Sequence, residues 1–294
     1  MNFQKGEKPY QWPGGARLAL SVVVNVEEGA EGNILDGDKY PEAVDEMGIA
    51  LKRSIRNYSN ESNYRYGLTR GAPRVMRLLE QYGIRSTFTA CALALERAPE
   101  LTAEILRQGH EVTSHGYRWA HQFMMDEAQE REYIRKAVES IERTTGRKPR
   151  GWLSRYLVTA NTRRLLCEAG FQYHMDDLSD DEPRWDAVDG KPIVVLPYQV
   201  DNNDMKMWTT PAHTPEQWLK YAIDNLEWML AEGEHEVNMM SIGLHLRIIG
   251  RPGRIWALEK FLAHARKRAD EGGVWIATRE EIASHFAREV PWRG

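Results

Sequence analysis

The stretch that decides the fold is ARLALSVVVNVEEG, residues 16–29. Its apolar, β-branched part, 16–26, reads as a buried strand. The run ends in Glu27 and Glu28, at the head of the polar, glycine-containing loop EEGAEG. Working outward, the same change of pattern recurs. APRVMRLLEQYG (72–83) has helical periodicity and a glycine stop, and IRSTFTACALALERAPE (84–100) reads as strand then helix. LTAEILRQG is a helix, HEVTSHG a strand, and DEAQEREYIRKAVESIERTTG (126–146) a long amphipathic helix closed by Gly146. RGWLSR, FQYHMDD, PIVVLPYQV (192–200) and VNMMSIGLHL read as further strands. TANTRRLLCEAG, PEQWLKYAIDNLEWMLAEG and RIWALEKFLAHARKRADEG read as helices, and GVWIATREEIASHF as a final strand and helix. Strand and helix alternate about seven times without a compositional break, which predicts one parallel α/β domain closed as a barrel. The single domain spans 1–294, with an N-terminal extension over 1–15 and an inserted, polar loop over about 32–66. Loops of that length are often lids or interface elements.

Composition removes several classes of function. A net charge of -4 gives no nucleic-acid footprint. No run of 18 apolar residues is present, so no membrane span is expected. MNFQKGEKPYQWPGG lacks the apolar centre of a secretory signal, and a cytoplasmic location is expected. Cys91 and Cys167 are too few for a zinc ribbon or a disulfide framework and read as buried thiols. No GxGxxG follows the first strand, and no Walker loop or internal repeat exists.

Ligands of a parallel barrel sit where the strands end. The first strand delivers Asn25, Glu27 and Glu28 to that rim. HEVTSHG delivers His115, followed by Arg118 and Trp119. RGWLSR delivers Ser154 and Arg155, VVLPYQVDNND delivers Asp201, Asn203 and Asp204, and SIGLHLR delivers His245 and Arg247. One such residue is uninformative. Five strands converging with carboxylates, histidines and arginines predict an active site.

These residues also carry a resemblance. The chain resembles the polysaccharide deacetylases, the NodB-homology group, from about Trp12 to Phe286. The family's Asp-Asp pair aligns with Glu27 and Glu28. Its His-x-x-x-His motif aligns with GHEVTSHGYRW, where His115 is kept and Trp119 stands at the second histidine. Its late strand histidine aligns with His245. WPGGARLAL, YRYGLTRGAPRVMRLL, SHGYRW, TANTRRLL, LPYQVDNNDMKMW and IGLHLRIIGRPGR are similar to the allantoinase and cyclic-imide-hydrolase branch. The chain departs from it at VTAN (158–161), where allantoinases of the family carry Ser-Pro-Asn.

The resemblance implies a distorted (β/α)7-type barrel and a hydrolase acting on C–N bonds of cyclic amides: imides, hydantoins or allantoin. Glu27 becomes the base that activates water, Glu28 the former metal-ligand position, and His245 the general acid or oxyanion partner. Arg118, Arg155 and Arg247 are candidates for gripping carbonyls or a product carboxylate. Asn203 and Asp204 are candidates for reading ring N–H groups. Trp119 is expected to wall the pocket. It cannot ligate a metal, because its indole N–H only donates. A metal site built on Glu28 and His115 is therefore expected to be lost or weak, with a divalent metal such as zinc left open and no other cofactor. His121 lies two residues beyond the motif. The alternative is a metal-dependent deacetylase of N-acetyl sugars in polysaccharide or peptidoglycan; a third reading is a non-catalytic binding module. The expected partners are a small cyclic amide and further copies of the chain, a tetramer being one form.

Overall fold

The computed structural model describes residues 8–44, 46 and 48–294. Strand β1 (Leu18–Val26) is buried along its whole length. Both of its faces are covered, as an unbroken apolar run requires. Leu18, Leu20, Val22, Val24 and Val26 pack into the core shared with the helices. Ala19 and Val23 join a second core with Tyr173, Leu196, Tyr198 and Met239. The two-residue period of a strand thus sorts neighbours between a helix layer outside and a lumen inside.

Strands β2 (Thr87–Ala90), β3 (Glu111–Ser114), β4 (Gly151–Trp152) and β5 (Tyr173–His174) follow in order, parallel, on one side of β1. Beyond β5 come β6 (Arg184–Val188) and β7 (Lys191–Val195), an antiparallel hairpin whose β7 pairs with β5 in parallel. Strand β8 (Asn238–His245) lies parallel on the other side of β1, with His245 level with Asn25. Strand β9 (Val274–Ile276) pairs with the first residues of β1, leaving the last ones to β2. The sheet is therefore a single curled, mostly parallel one, a distorted (β/α) barrel in one domain.

The gap between β8 and the β6–β7 side is bridged without a ladder. The Gln199 side chain accepts from Ser241 N–H at 2.7 Å and donates to the Met239 carbonyl at 3.2 Å. One side-chain amide here stands in for a strand's peptide group and satisfies an edge that would otherwise be bare.

The helices are α1 (Tyr58–Tyr66), α2 (Ala72–Gln81), α3 (Ala92–Arg97), α4 (Pro99–Arg107), α5 (Glu127–Thr145), α6 (Thr162–Glu168), α7 (Pro215–Glu232), α8 (Leu246–Ile249), α9 (Pro252–Asp270) and α10 (Arg279–Glu289). Reciprocal capping boxes start α5, α7 and α10, at Asp126/Gln129, Thr214/Gln217 and Thr278/Glu281. Among the described residues no helix is long and apolar enough to cross a membrane.

Several readings change. The segment expected as loop over 32–66 ends in α1, whose sequence YSNESNYRY has no apolar stripe to announce it. The β6–β7 hairpin interrupts the strand–helix alternation. RGWLSR and FQYHMDD supply only two strand residues each, because the chain turns outward to form the rim. The described part of the N-terminal extension is packed, with Tyr10 and Trp12 in the lumen core beside Phe286; residues 1–7 lie outside the described residues. Cys91 is buried, but Cys167 is only half-buried.

Candidate active site

The inner parity of β1 runs on past its end. Residues 19, 21, 23 and 25 alternate toward the lumen, and Glu27 follows them onto the floor of a cavity of about 590 Å³. Glu28 takes the outer parity. It is buried beneath the π-helical turn Gly67–Gly71 that joins α1 to α2, and it does not line the cavity. A Cβ on Gly67 would lie 2.5 Å from Glu28 Oε1, so only glycine lets that turn settle over the carboxylate. Gly71 has the same role against the Leu246 carbonyl, 2.0 Å from where its Cβ would be. Glu28 accepts hydrogen bonds from the backbone N–H groups of Glu27 and Arg247, both at 3.1 Å.

Glu27 is shared by three partners. Its Oε1 faces His245 Nε2 at 3.4 Å and His115 Nε2 at 3.5 Å, and its Oε2 accepts from Arg247 Nη1 at 2.9 Å. Burial opposes its charge, yet Arg247 and His245 hold its carboxyl well below the usual range. Burial raises Glu28, as does the neighbouring Glu27 charge, against the pull of Arg247.

His245 is backed by Asp204, whose Oδ1 lies 2.7 Å from His245 Nδ1. The other Asp204 oxygen accepts from the backbone N–H groups of His245 and Ile249, at 2.8 and 3.1 Å. Burial disfavours the imidazolium, but Glu27 and Asp204 outweigh it and push His245 up to about 10. His115 is held differently: its Nδ1 lies 2.6 Å from the Leu153 carbonyl and donates to it. That fixes the ring's orientation and turns Nε2 toward Glu27.

The cavity wall contains Trp119, Arg155 and Asn203 as expected. Arg155 stacks 3.7 Å over the Trp119 ring and grips Glu42 with both terminal nitrogens, at 2.6 and 3.0 Å. Its charge is thus already paired inside the protein. Other candidates, Arg247 among them, stand outside the cavity wall. Arg118 is clamped to Asp38 at 2.6 and 3.0 Å, outside the wall, and donates to the Glu31 carbonyl. Asp204 sits behind His245 and does not line the cavity, because both of its oxygens are taken by β8 and α8. Glu28 is behind the floor, as parity demands. Asp201 accepts from the Tyr221 hydroxyl, and His121 packs on Phe123, both away from the cavity.

A metal on Glu28 and His115 does not fit this arrangement, since the two side chains are turned to different sides of the strand ends. Among the described residues no group of three or more His, Cys, Asp or Glu is arranged to hold a metal ion. Instead, the Arg247 guanidinium lies 2.9 Å from Glu27 and 3.6 Å from Glu28 and supplies the positive charge between them.

Sequence reasoning missed Tyr198, Asp176 and the rim. Asp176 lines the cavity and accepts from Ser154 N and Oγ, both at 2.7 Å; burial lifts it to about 6. The second Asp of FQYHMDD, Asp177, is instead bound to Arg184. Tyr156, Leu157, Val158, Leu178, Val200 and Met205 form an apolar collar around the mouth. Tyr156 adopts a left-handed φ of 56°, uncommon for a residue with a side chain and a mark of a constrained rim.

The polysaccharide deacetylase family model matches residues 63–174. A Schizosaccharomyces pombe protein assigned to the polysaccharide deacetylases is 32% identical over 96% of this chain and 94% of its own. Two solved structures superpose with TM-scores of 0.91. One is a Pseudomonas aeruginosa PAO1 protein assigned as a polysaccharide deacetylase, 41% identical over 96% of this chain and 95% of that one. The other is a PuuE allantoinase, 40% identical over 96% of this chain and 94% of that one.

Proposed function

Because the chain belongs to the polysaccharide deacetylase family, we propose that it is a hydrolase that opens a cyclic amide of the imide, hydantoin or allantoin type. The observation that carries this reading is the Glu27 carboxylate set against the Asp204-backed imidazole of His245, on the floor of a cavity with an apolar collar at its mouth. The likeness to an allantoinase over nearly the whole chain supports the same substrate class.

Each residue then has a task. Glu27, held as carboxylate, takes a proton from water as the water oxygen attacks the ring carbonyl carbon. His245, held as imidazolium, gives its proton to the ring nitrogen as the C–N bond breaks. Opening yields a carboxylate and a freed amide or ureido nitrogen, and the two proton carriers reset by exchange with water. Arg247 neutralises the paired glutamates, and Asp204 fixes the imidazole. Trp119 and the collar provide a flat, apolar wall suited to a ring.

The experiment is turnover of a panel of hydantoin, dihydrouracil, succinimide and allantoin, followed in the ultraviolet. The expected result is ring opening of at least one of them. Acetate release from chito-oligosaccharides with no ring opening would replace this reading with that of an N-acetyl-sugar deacetylase, which the family favours on its own.

A further inference from the structure

We infer that the Tyr198 hydroxyl is the hydrogen-bond donor to the substrate's scissile carbonyl oxygen, the group that stabilises the oxyanion formed on attack. The inference rests on the hydrolytic reading above and adds a catalytic residue to it. Tyr198 lies just past the end of β7, is 6% exposed and lines the cavity.

Its hydroxyl oxygen accepts two hydrogen bonds, from Asn203 Nδ2 at 3.1 Å and Asn25 Nδ2 at 3.4 Å. Neither amide can be turned over without loss. Asn203 Oδ1 is committed to the Met205 N–H at 2.9 Å, where it caps the short helical turn Asp204–Met207. Asn25 Nδ2 also donates to the Leu244 carbonyl at 3.3 Å, and its oxygen accepts from the Thr89 hydroxyl. Both amides therefore present N–H, not oxygen, to the phenol. A phenol oxygen has one proton and two lone-pair directions. With both lone pairs in use, the proton has no acceptor among the described residues and is left to the cavity. Burial pushes this hydroxyl up to about 12, against the pull of Asn25, so it stays a donor across the working range.

Its place suits the task. Asn25 and Glu27 share the inner face of β1 two residues apart, about 7 Å along a strand, and His245 stands level with Asn25. One carbonyl fills that interval, with its carbon toward water on Glu27, its nitrogen toward His245 and its oxygen toward Tyr198. Gly243 makes room for the arrangement. A Cβ there would lie 2.2 Å from the Tyr198 hydroxyl and 2.7 Å from Asn203 Nδ2.

Two variants test it, assayed on cyclic amides and on chito-oligosaccharides. Tyr198→Phe is expected to lower kcat by ~10²–10³-fold, the usual effect of removing one oxyanion donor, with KM changed by less than about threefold and an unshifted pH profile. Asn203→Asp is the sharper test. An aspartate keeps the cap on Met205 but offers the phenol an acceptor, which draws its proton away from the cavity. It should lower kcat comparably while its melting temperature and circular dichroism match wild type. Loss of kcat on N-acetyl sugars alone would sink the ring-opening reading and leave Tyr198 in its role. A wild-type chain active on either class, with kcat retained in both variants, would overturn the Tyr198 assignment alone. Turnover of neither class would overturn both.

Discussion

Two sides of the same cavity present an imidazole to the same oxygen. On the β8 side His245 stands 3.4 Å from Glu27 Oε1, and on the β3 side His115 stands 3.5 Å away. What differs is behind the rings. His245 leans on the Asp204 carboxylate, a full negative charge, whereas His115 leans on the Leu153 carbonyl, a dipole with no net charge. Low-dielectric surroundings magnify that difference. The site therefore has one imidazole backed by a charge and one backed by a neutral dipole. Distance to the shared carboxylate says nothing of this; the group on the far nitrogen decides it.

The largest effect should come from removing what the two sides share. Glu27→Gln should lower kcat/KM by about 10³–10⁴-fold, the upper part of the range for a general base, measured by steady-state ring opening. A variant that kept near-normal turnover would move the base elsewhere, with Asp176 the next carboxylate on the wall.

Asp204→Asn strips the β8 side of its charge and should cost about 10²-fold at alkaline pH. The sign follows from linkage. His245 is raised above its ordinary pKa of about 6.5, so its charged form contributes stability fully below that value. That contribution, and the acid's activity with it, is lost as pH rises through about 10. In Asp204→Asn one of the two raising carboxylates is gone, so the alkaline limb of kcat/KM should move toward neutrality. A limb that stayed near 10 would mean that Glu27 alone sets the imidazole.

His115→Ala should be milder, roughly tenfold in kcat/KM, below the range for a proton-transferring group, and should leave the alkaline limb where it is. Equal losses from His115→Ala and His245→Ala, with the same change in pH profile, would erase the distinction between the two sides. The smallest effect is expected from chelation. Dialysis against a strong chelator, paired with elemental analysis, should leave activity unchanged, since Arg247 already supplies the cation between the glutamates. Loss of activity together with one equivalent of metal would unite the two imidazoles as a ligand pair.

Legibility varied along the chain for physical reasons. Glu27, His115 and His245 were readable because each ends a strand whose pattern fixes where it stops. Asp204 was readable as a member of the site but not in its role, since nothing local shows that its oxygens face β8 rather than a ligand. Arg118 looked like Arg155 from its neighbours, yet both are spent on acids, Asp38 and Glu42, that come from the inserted segment. Tyr198 carried no signal at all: its value depends on two asparagine amides oriented by backbone groups from other elements.

By itself the sequence determined the curled parallel sheet and the rim at which strands end, and it brought both Glu27 and Glu28 to that rim. Those are consequences of local pattern, in which burial on both faces demands an apolar run. Only the tertiary structure decided which of the two glutamates meets the cavity, which histidine is backed by charge, and that Arg118, Arg155 and Arg247 are all paired with carboxylates. Those outcomes depend on pairings between residues as distant as Asp204 and His245 or Arg155 and Glu42. In a buried site, the partner on the far side of a charged group fixes its protonation and direction, and no one-dimensional pattern encodes that partner.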